Sequence, residues 1–324
     1  MNNQVHRGMK RKTIRKILRL KIDNWLESIS DDKVKKVAAE NAIVTGGSIT
    51  SMLLGEPIND FDIYMRNKES TKLLAEYYVK QFNELNKPTI EPYAKETSLK
   101  NIKGDIEDRI CIYVASSGVA GEEADDHDYE YYEVGDLNGD GAEKYVDNMV
   151  KDKGGDDIVD QTLSNYRPVF MSQNAITLKG KIQFVIRFYG EPSEIHDNYD
   201  FQHAMCSYDY HNDQLDLPSE ALECILSKTL IYKGSLYPIC SVFRTKKFIS
   251  RGWQISAGQM LKMCWQISEI KLTNPDILRE QLTGVDAAYF HELIKLIKEE
   301  QENKNIKEID SAYVVTLIDK IFGE

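Results

Sequence analysis

From Thr13 onward, apolar residues recur at helical spacing at Ile14, Ile17, Leu18, Ile22, Trp25, Leu26 and Ile29, which predicts an amphipathic first helix. A second, short helix is expected over residues 32–40. The pattern then changes. Ile43 and Val44 suit the end of a buried strand, and the run breaks at Gly46-Gly47, where the missing side chains permit a sharp turn and close approach of backbone N–H groups to a ligand. Ser48 opens a helical segment over 49–54, with Gly55 as its stop and Pro57 just beyond. In Asp60-Phe61-Asp62-Ile63-Tyr64 the polar and apolar positions alternate, so a strand would turn Asp60 and Asp62 to one side and Phe61 and Ile63 into the core. Leu73, Leu74, Tyr77, Tyr78 and Phe82 predict a helix over 70–85, with Ser70 as its cap, and 110–115 reads as a core strand.

Further along, 174–178, the turn at Lys179-Gly180 and 182–188 read as a hairpin, and 199–205 alternates weakly as a strand. After Ser219 the spacing is helical throughout, over 221–232, 239–250, 256–270, 275–282, 287–301 and 309–322. Between these ordered parts, residues 116–160 are rich in Gly, Asp and Glu, and fit a mobile insertion better than a core element.

Composition changes the picture chiefly through charge. The net charge of -11 speaks against a nucleic-acid partner, but residues 121–160 alone hold fifteen Asp or Glu and three Lys, leaving the other residues near +1. The first 21 residues carry eight Lys or Arg and no acid, so the first helix is basic as well as amphipathic. Five widely spaced cysteines form neither a zinc pattern nor a disulfide framework, which points to a reducing cytoplasm. With no apolar run of eighteen residues and no secretory signal pattern, no membrane partner is expected. Oligomeric state is not legible.

Chemistry concentrates in 43–65. A helix N-terminus after Gly46-Gly47 presents unpaired N–H donors to an anion, so a phosphate chain is the natural occupant. Two carboxylates side by side repel unless a cation lies between them, and hard oxygen ligands suit Mg²⁺ with bound phosphate. Inside the acidic stretch, Asp136, Asn138, Asp140, Gly141 and Asp147 match positions 1, 3, 5, 6 and 12 of a calcium loop, although flanking helices are not evident and a plain acidic loop fits as well. Arg244, Lys247 and Arg251 recur along one helix face, with Lys228, Lys233 and Lys246 as secondary basic candidates.

The order Gly46-Gly47, Leu53-Leu54-Gly55, Pro57, Asp60-x-Asp62 resembles the signature of the DNA polymerase β-like nucleotidyltransferases, and locally their tRNA CCA-adding and poly(A) polymerase branch. It departs from that branch at Thr50-Ser51, where an Arg-Asp pair is usual. The segment 241–255, with spaced basic residues ending at Gly252-Trp253-Gln254-Ile255, is similar to a helix of the same branch. The overall pattern also looks like nucleotidyltransferases encoded by large tailed bacteriophages.

The resemblance implies an α+β fold: basic N-terminal helices (1–40), a catalytic palm domain on a small mixed sheet (41–215, insertion about 116–160) and an all-helical domain (216–324). It implies transfer of a nucleoside monophosphate from a nucleoside triphosphate to an acceptor hydroxyl, with an RNA or tRNA 3′ end as the leading acceptor. Transfer to a protein, small molecule or second nucleotide, and a non-catalytic nucleotide-binding module, are the alternatives. Asp60 and Asp62 would hold two Mg²⁺ ions, or Mn²⁺, and a third carboxylate on a neighbouring strand would complete the centre. Asp200 is the choice for it, ahead of Asp197 and Asp209, with His203 nearby. Gly46, Gly47 and Ser48 would grip phosphates, and Arg244, Lys247 and Arg251 would face triphosphate or base.

Overall fold

The computed structural model describes residues 8–100, 106–114, 119–120 and 166–282, and short pieces between 297 and 316. The calcium-loop pattern at 136–147 and most of the acidic stretch lie outside the described residues. The chain divides into two units, the first made of Met1–Ser98, Asp108–Asn198 and His203–Ser227, the second of Leu99–Glu107, Tyr199–Gln202 and Lys228–Glu324.

In the first unit α1 (Arg11–Glu27) and α2 (Asp32–Asn41) precede β1 (Ala42–Thr45), α3 (Gly47–Leu54), β2 (Phe61–Met65) and α4 (Lys68–Asn86). Strands β3 (Tyr93–Lys100) and β4 (Ile106–Tyr113) pair with each other. Then come β5 (Val119–Ala120), β6 (Pro168–Met171), β7 (Ala175–Leu178), β8 (Ile182–Val185), the short helix α5 (Pro192–His196), β9 (Ser207–Asp209), β10 (Gln214–Asp216) and α6 (Ser219–Ser227). Eight strands form one sheet in the order β10-β9-β1-β2-β8-β7-β6-β5. It is mixed, because β2 runs antiparallel to β1 and parallel to β8.

The expected helices form for the expected reasons. On α1 the buried stripe is Ile14, Ile17, Leu18, Ile22, Trp25 and Leu26, and the Trp25 indole donates to the hydroxyl of buried Tyr78 on α4 at 2.7 Å. Gly55 ends α3 in the left-handed conformation, φ 69°. Helix α4 starts earlier than expected and its cap is Asn67, whose side chain accepts from Ser70 N at 2.9 Å. Ser70 is therefore a third-position residue of the first turn and not the cap.

Lys21 joins the apolar stripe of α1. It is 3% exposed, donates to the Gly180 carbonyl, and holds its ammonium 5.2 Å from the Phe61 ring centroid and 5.1 Å from that of Tyr166. Burial, and secondarily the charge of Lys181, pushes its pKa from 10.5 down to about 7. Between those two values the unfolded chain binds a proton that the folded chain does not, so stability rises with pH across this window and the penalty is constant below it. Urea unfolding at a series of pH values from 6.5 to 9.5 is expected to show this rise in the native protein and a flatter profile in Lys21→Met.

The second unit holds α7 (Pro238–Ser250), α8 (Ala257–Ser268) and α9 (Pro275–Leu282), together with a parallel pair, β11 (Thr229–Leu230) and β12 (Gln254–Ile255). It is not all-helical. The helix expected over 221–232 stops at Ser227 because Lys228 turns left-handed, φ 48°, and feeds β11. The expected strand over 199–205 does not form. Phe201 makes one bridge to Tyr232, and Gln202–Ala204 is a 3₁₀ turn. Its backbone bonds go elsewhere: Gln202 N donates to the Ile231 carbonyl, and Lys233 N to that of Asp200. Aromatic contacts link Phe201 to Tyr232 and Phe248, and Phe248 to Trp253, at centroid separations of 5.6–5.9 Å.

Candidate functional site

The edge where β1 ends and β2 begins carries the predicted turn. Gly46 has φ 102° and ψ -153°, a conformation that side-chain-bearing residues rarely adopt, and it is the N-cap of α3. Gly47 is the first residue of the helix. A Cβ built on it meets nothing within 4 Å, so no protein neighbour requires glycine there. The next residue, Ser48, is 3% exposed, and its buried Oγ has no hydrogen-bond partner. An unpartnered buried hydroxyl beside a helix N-terminus and an open space over Gly47 fit a missing anionic group.

Asp60 directly precedes β2 and Asp62 lies within it, half-exposed, while Phe61 and Ile63 are fully buried. The register then brings polar residues into a row. Ser207 pairs with Thr45; the β1–β2 register, Val44 opposite Ile63, continues by one residue to set Thr45 opposite Asp62. Asp62 pairs with Gln183 on β8, and Gln183 with Thr177 on β7. Paired residues share a face, so Ser207, Thr45, Asp62, Gln183 and Thr177 line one side of five consecutive strands, at steps of about 4.8 Å.

Thr45 is tied down at the head of the Gly46 turn. Its hydroxyl donates to the Cys206 carbonyl at 2.8 Å and lies 2.7 Å from His196 Nε2, which therefore carries the proton and donates to Thr45 Oγ1. Burial holds the His196 pKa down to about 4, against the opposing charges of Asp216 and Asp197, so the imidazole is neutral at physiological pH. The turn is fixed from its other side by Thr50, whose hydroxyl donates to the carbonyl of buried His203 at 2.8 Å. Sequence reading missed Thr45, His196 and Gln183, which only long-range pairing assembles.

Of the other predicted residues, Asp197 and Asp209 belong to the first unit, and Asp200, Arg244, Lys247 and Arg251 to the second. Asp200 is in the second unit, 7% exposed, with Oδ2 2.7 Å from Arg244 Nη1 on α7. Of its alternatives, Asp197 caps the C-terminus of α5, and Asp209 on β9 is ion-paired at 2.7 Å to Arg66, which also binds Glu191. Burial pushes the Asp209 carboxyl up, but bonds from Asn212 and Arg66 outweigh it and hold the pKa below the ordinary value. Lys247 is in the last turn of α7; Arg251 is its C-cap, and its carbonyl accepts from Lys228 Nζ at 3.3 Å. Among the described residues, no group of three or more His, Cys, Asp or Glu could hold a metal ion. On the two strands beside β2, the position paired with Asp62 on β8 is an amide, and β1 has no acid.

A family model described as Gad2, Gabija anti-defense 2 family protein, matches residues 16–228. The chain belongs to the Gabija anti-defense 2 family. The matched range contains the polar row and the Gly46 turn. A search of the curated proteins gave no match. Among solved structures, a Thermotoga maritima CCA-adding enzyme complexed with tRNA is similar at a TM-score of 0.37 and 11% identity, over 94% of this chain and 62% of that one. An apo CCA-adding enzyme is similar at 0.38 and 12%, over 95% and 59%. The chain spans about three fifths of the length of these enzymes. Among the described residues no helix is long and apolar enough to cross a membrane.

Proposed function

We propose that this Gabija anti-defense 2 family member is a metal-dependent nucleotidyltransferase of polymerase β-like fold, which moves a nucleoside monophosphate from a nucleoside triphosphate to an acceptor hydroxyl. The observation that carries this is a junction of two neighbouring central strands: Gly46-Gly47 leaves β1 beside the start of β2, where Asp60 and Asp62 stand. Anion donors and paired carboxylates adjoin, as a metal-bound triphosphate requires.

Backbone N–H groups of Gly47 and Ser48, with the unpartnered Ser48 hydroxyl, hold terminal phosphates. Asp60 and Asp62 fit Mg²⁺, which is commonly held by one or two carboxylates and substrate phosphates, and need no third carboxylate for that. When bound, the ion neutralises phosphate charge and favours ionisation of the acceptor hydroxyl. The acceptor oxygen bonds to the α-phosphorus, the bridge to the β-phosphate breaks, pyrophosphate leaves, and the hydroxyl proton passes to solvent water. Asp62 is the one carboxylate in the row from Ser207 to Thr177. Thr45, held by His196, and Gln183 flank Asp62 and fix its surroundings, so positioning and charge neutralisation carry the catalysis.

The acceptor has two readings. An RNA 3′ end follows from the sequence resemblance; a component of the Gabija defence that the family name opposes follows from the family match. Each nucleoside triphosphate, α-labelled, is offered against total RNA, total protein including Gabija components, and no acceptor. Protease-resistant label on RNA supports the first reading and label on protein the second. No label on any acceptor, free nucleotides included, contradicts the proposal.

Gly47→Ala separates ligand from fold. The added methyl meets no protein atom and replaces glycine in a helix, so stability is unchanged or higher by up to about 1 kcal/mol. Nucleotide affinity is expected to fall about tenfold or more, the loss of one charge-assisted contact, as read by isothermal titration.

A further inference from the structure

Two arginines are buried away from the row of Asp62. Arg109 on β4 is 7% exposed and Arg187, two residues past β8, is 6% exposed, with its guanidinium 5.3 Å from the Phe188 ring centroid. Backbone bonds bring them together. Ile112 N donates to the Gln173 carbonyl at 3.1 Å, and Ile186 N to the Asn174 carbonyl at 3.0 Å, so the ends of β4 and β8 meet at the β6–β7 turn. The Cys111 thiol, hydrogen-bonded to Arg109, is within reach of both charges: burial raises its pKa, and both arginines oppose the rise.

A buried guanidinium calls for a counter-charge. The described residues offer Arg109 the Cys111 thiol and no carboxylate, and its Nε is buried without a hydrogen-bond partner. The amide oxygen of Asn174, in the adjoining turn, is a second buried atom without one. Two such atoms on elements that meet at this turn point to a group that both could bind. Arg187 follows the C-terminal end of β8, the strand that carries Gln183 beside Asp62.

We propose that Arg109 and Arg187 form a second oxyanion site, separate from the Gly46 turn, that takes the phosphate group of a small molecule. The guanidiniums supply fixed, permanently charged donors, and a protonated phosphate oxygen satisfies the Asn174 amide. The site rests on burial and register and does not require that nucleotidyl transfer be the reaction.

The test is thermal unfolding of the full chain in EDTA, titrated with inorganic pyrophosphate and, separately, with ATP. The native protein should show a saturable rise in midpoint with pyrophosphate. Arg109→Met, which removes a buried charge that no carboxylate among the described residues pairs, should keep or raise the ligand-free midpoint and weaken pyrophosphate about tenfold or more. Arg109→Gln, which keeps a polar group, should weaken it likewise. If the ATP response falls in parallel, the phosphate source is a nucleotide; if the pyrophosphate response alone falls, it is the free oxyanion. No saturable rise in the native protein, or unchanged pyrophosphate affinity in either variant, overturns the site. Transfer activity is not read, so failure here and failure of the nucleotidyltransferase reading are distinguishable.

Discussion

Asp62→Asn is expected to fold as the native protein does and to lose nucleotide transfer by at least a hundred- to a thousandfold, about what one preorganised electrostatic group contributes to a transition state. Asp60→Asn should behave alike. The substitution is isosteric, Asp62 is only partly buried, and the strand is held by its apolar neighbours Phe61 and Ile63 in the core. Removing one of two adjacent negative charges also relieves repulsion in the metal-free protein, so its thermal midpoint should stay near that of the native chain. A midpoint near native with lost transfer assigns the carboxylate to chemistry. Transfer within a few-fold of native would remove it from the mechanism.

The largest stability effect is expected at Arg244→Met. Asp200 is 7% exposed and its carboxylate is held at 2.7 Å by Arg244, whose side chain is 24% exposed. Deleting one partner of a buried pair strands the other charge, at about 3–5 kcal/mol when burial is complete; partial exposure of Arg244 reduces this to about 2–4 kcal/mol. In a double-mutant cycle with Asp200→Asn, the pair should lose less than the sum of the two single losses, because Asn needs no counter-ion. Urea unfolding measures all four proteins. The same cycle decides what Asp200 does. As a metal ligand it would lose transfer on Asp200→Asn with little change in stability; as the anchor of Arg244 it loses stability in step with Arg244→Met.

What the sequence made legible was local. The segment from β1 through the Gly46 turn and α3 to β2 is written in neighbouring residues: a glycine that must take positive φ, a second glycine that ends the helix, and alternation that separates Asp60 and Asp62 from Phe61 and Ile63. The helix stripes of α1 and α4 were equally plain, including their edges within a few residues. The rest depends on pairings that no local pattern encodes. Gln183 becomes the neighbour of Asp62 only because β8 joins β2 in parallel more than a hundred residues later. Strands β9 and β10 have three residues each, too short for alternation to register, yet β9 contributes Ser207 to the row. Asp200 has the residue type and apolar context of a strand carboxylate, and its commitment to Arg244 appears only when α7 is packed. His196 was hidden for another reason: it caps no motif, and its role rests on one hydrogen bond to a residue 151 positions away.

The Gly46 turn and the Asp60–Asp62 strand end form one site for a triphosphate attacked at its α-phosphorus, and label position tests that claim directly. The native protein is incubated with Mg²⁺, the acceptor found in the screen, and the same nucleoside triphosphate labelled at either the α- or the γ-phosphate. The α-label should become covalently attached to the acceptor while the γ-label leaves as pyrophosphate. A γ-label on the acceptor, or release of the γ-label as orthophosphate while the α-label stays in free nucleotide, would contradict it.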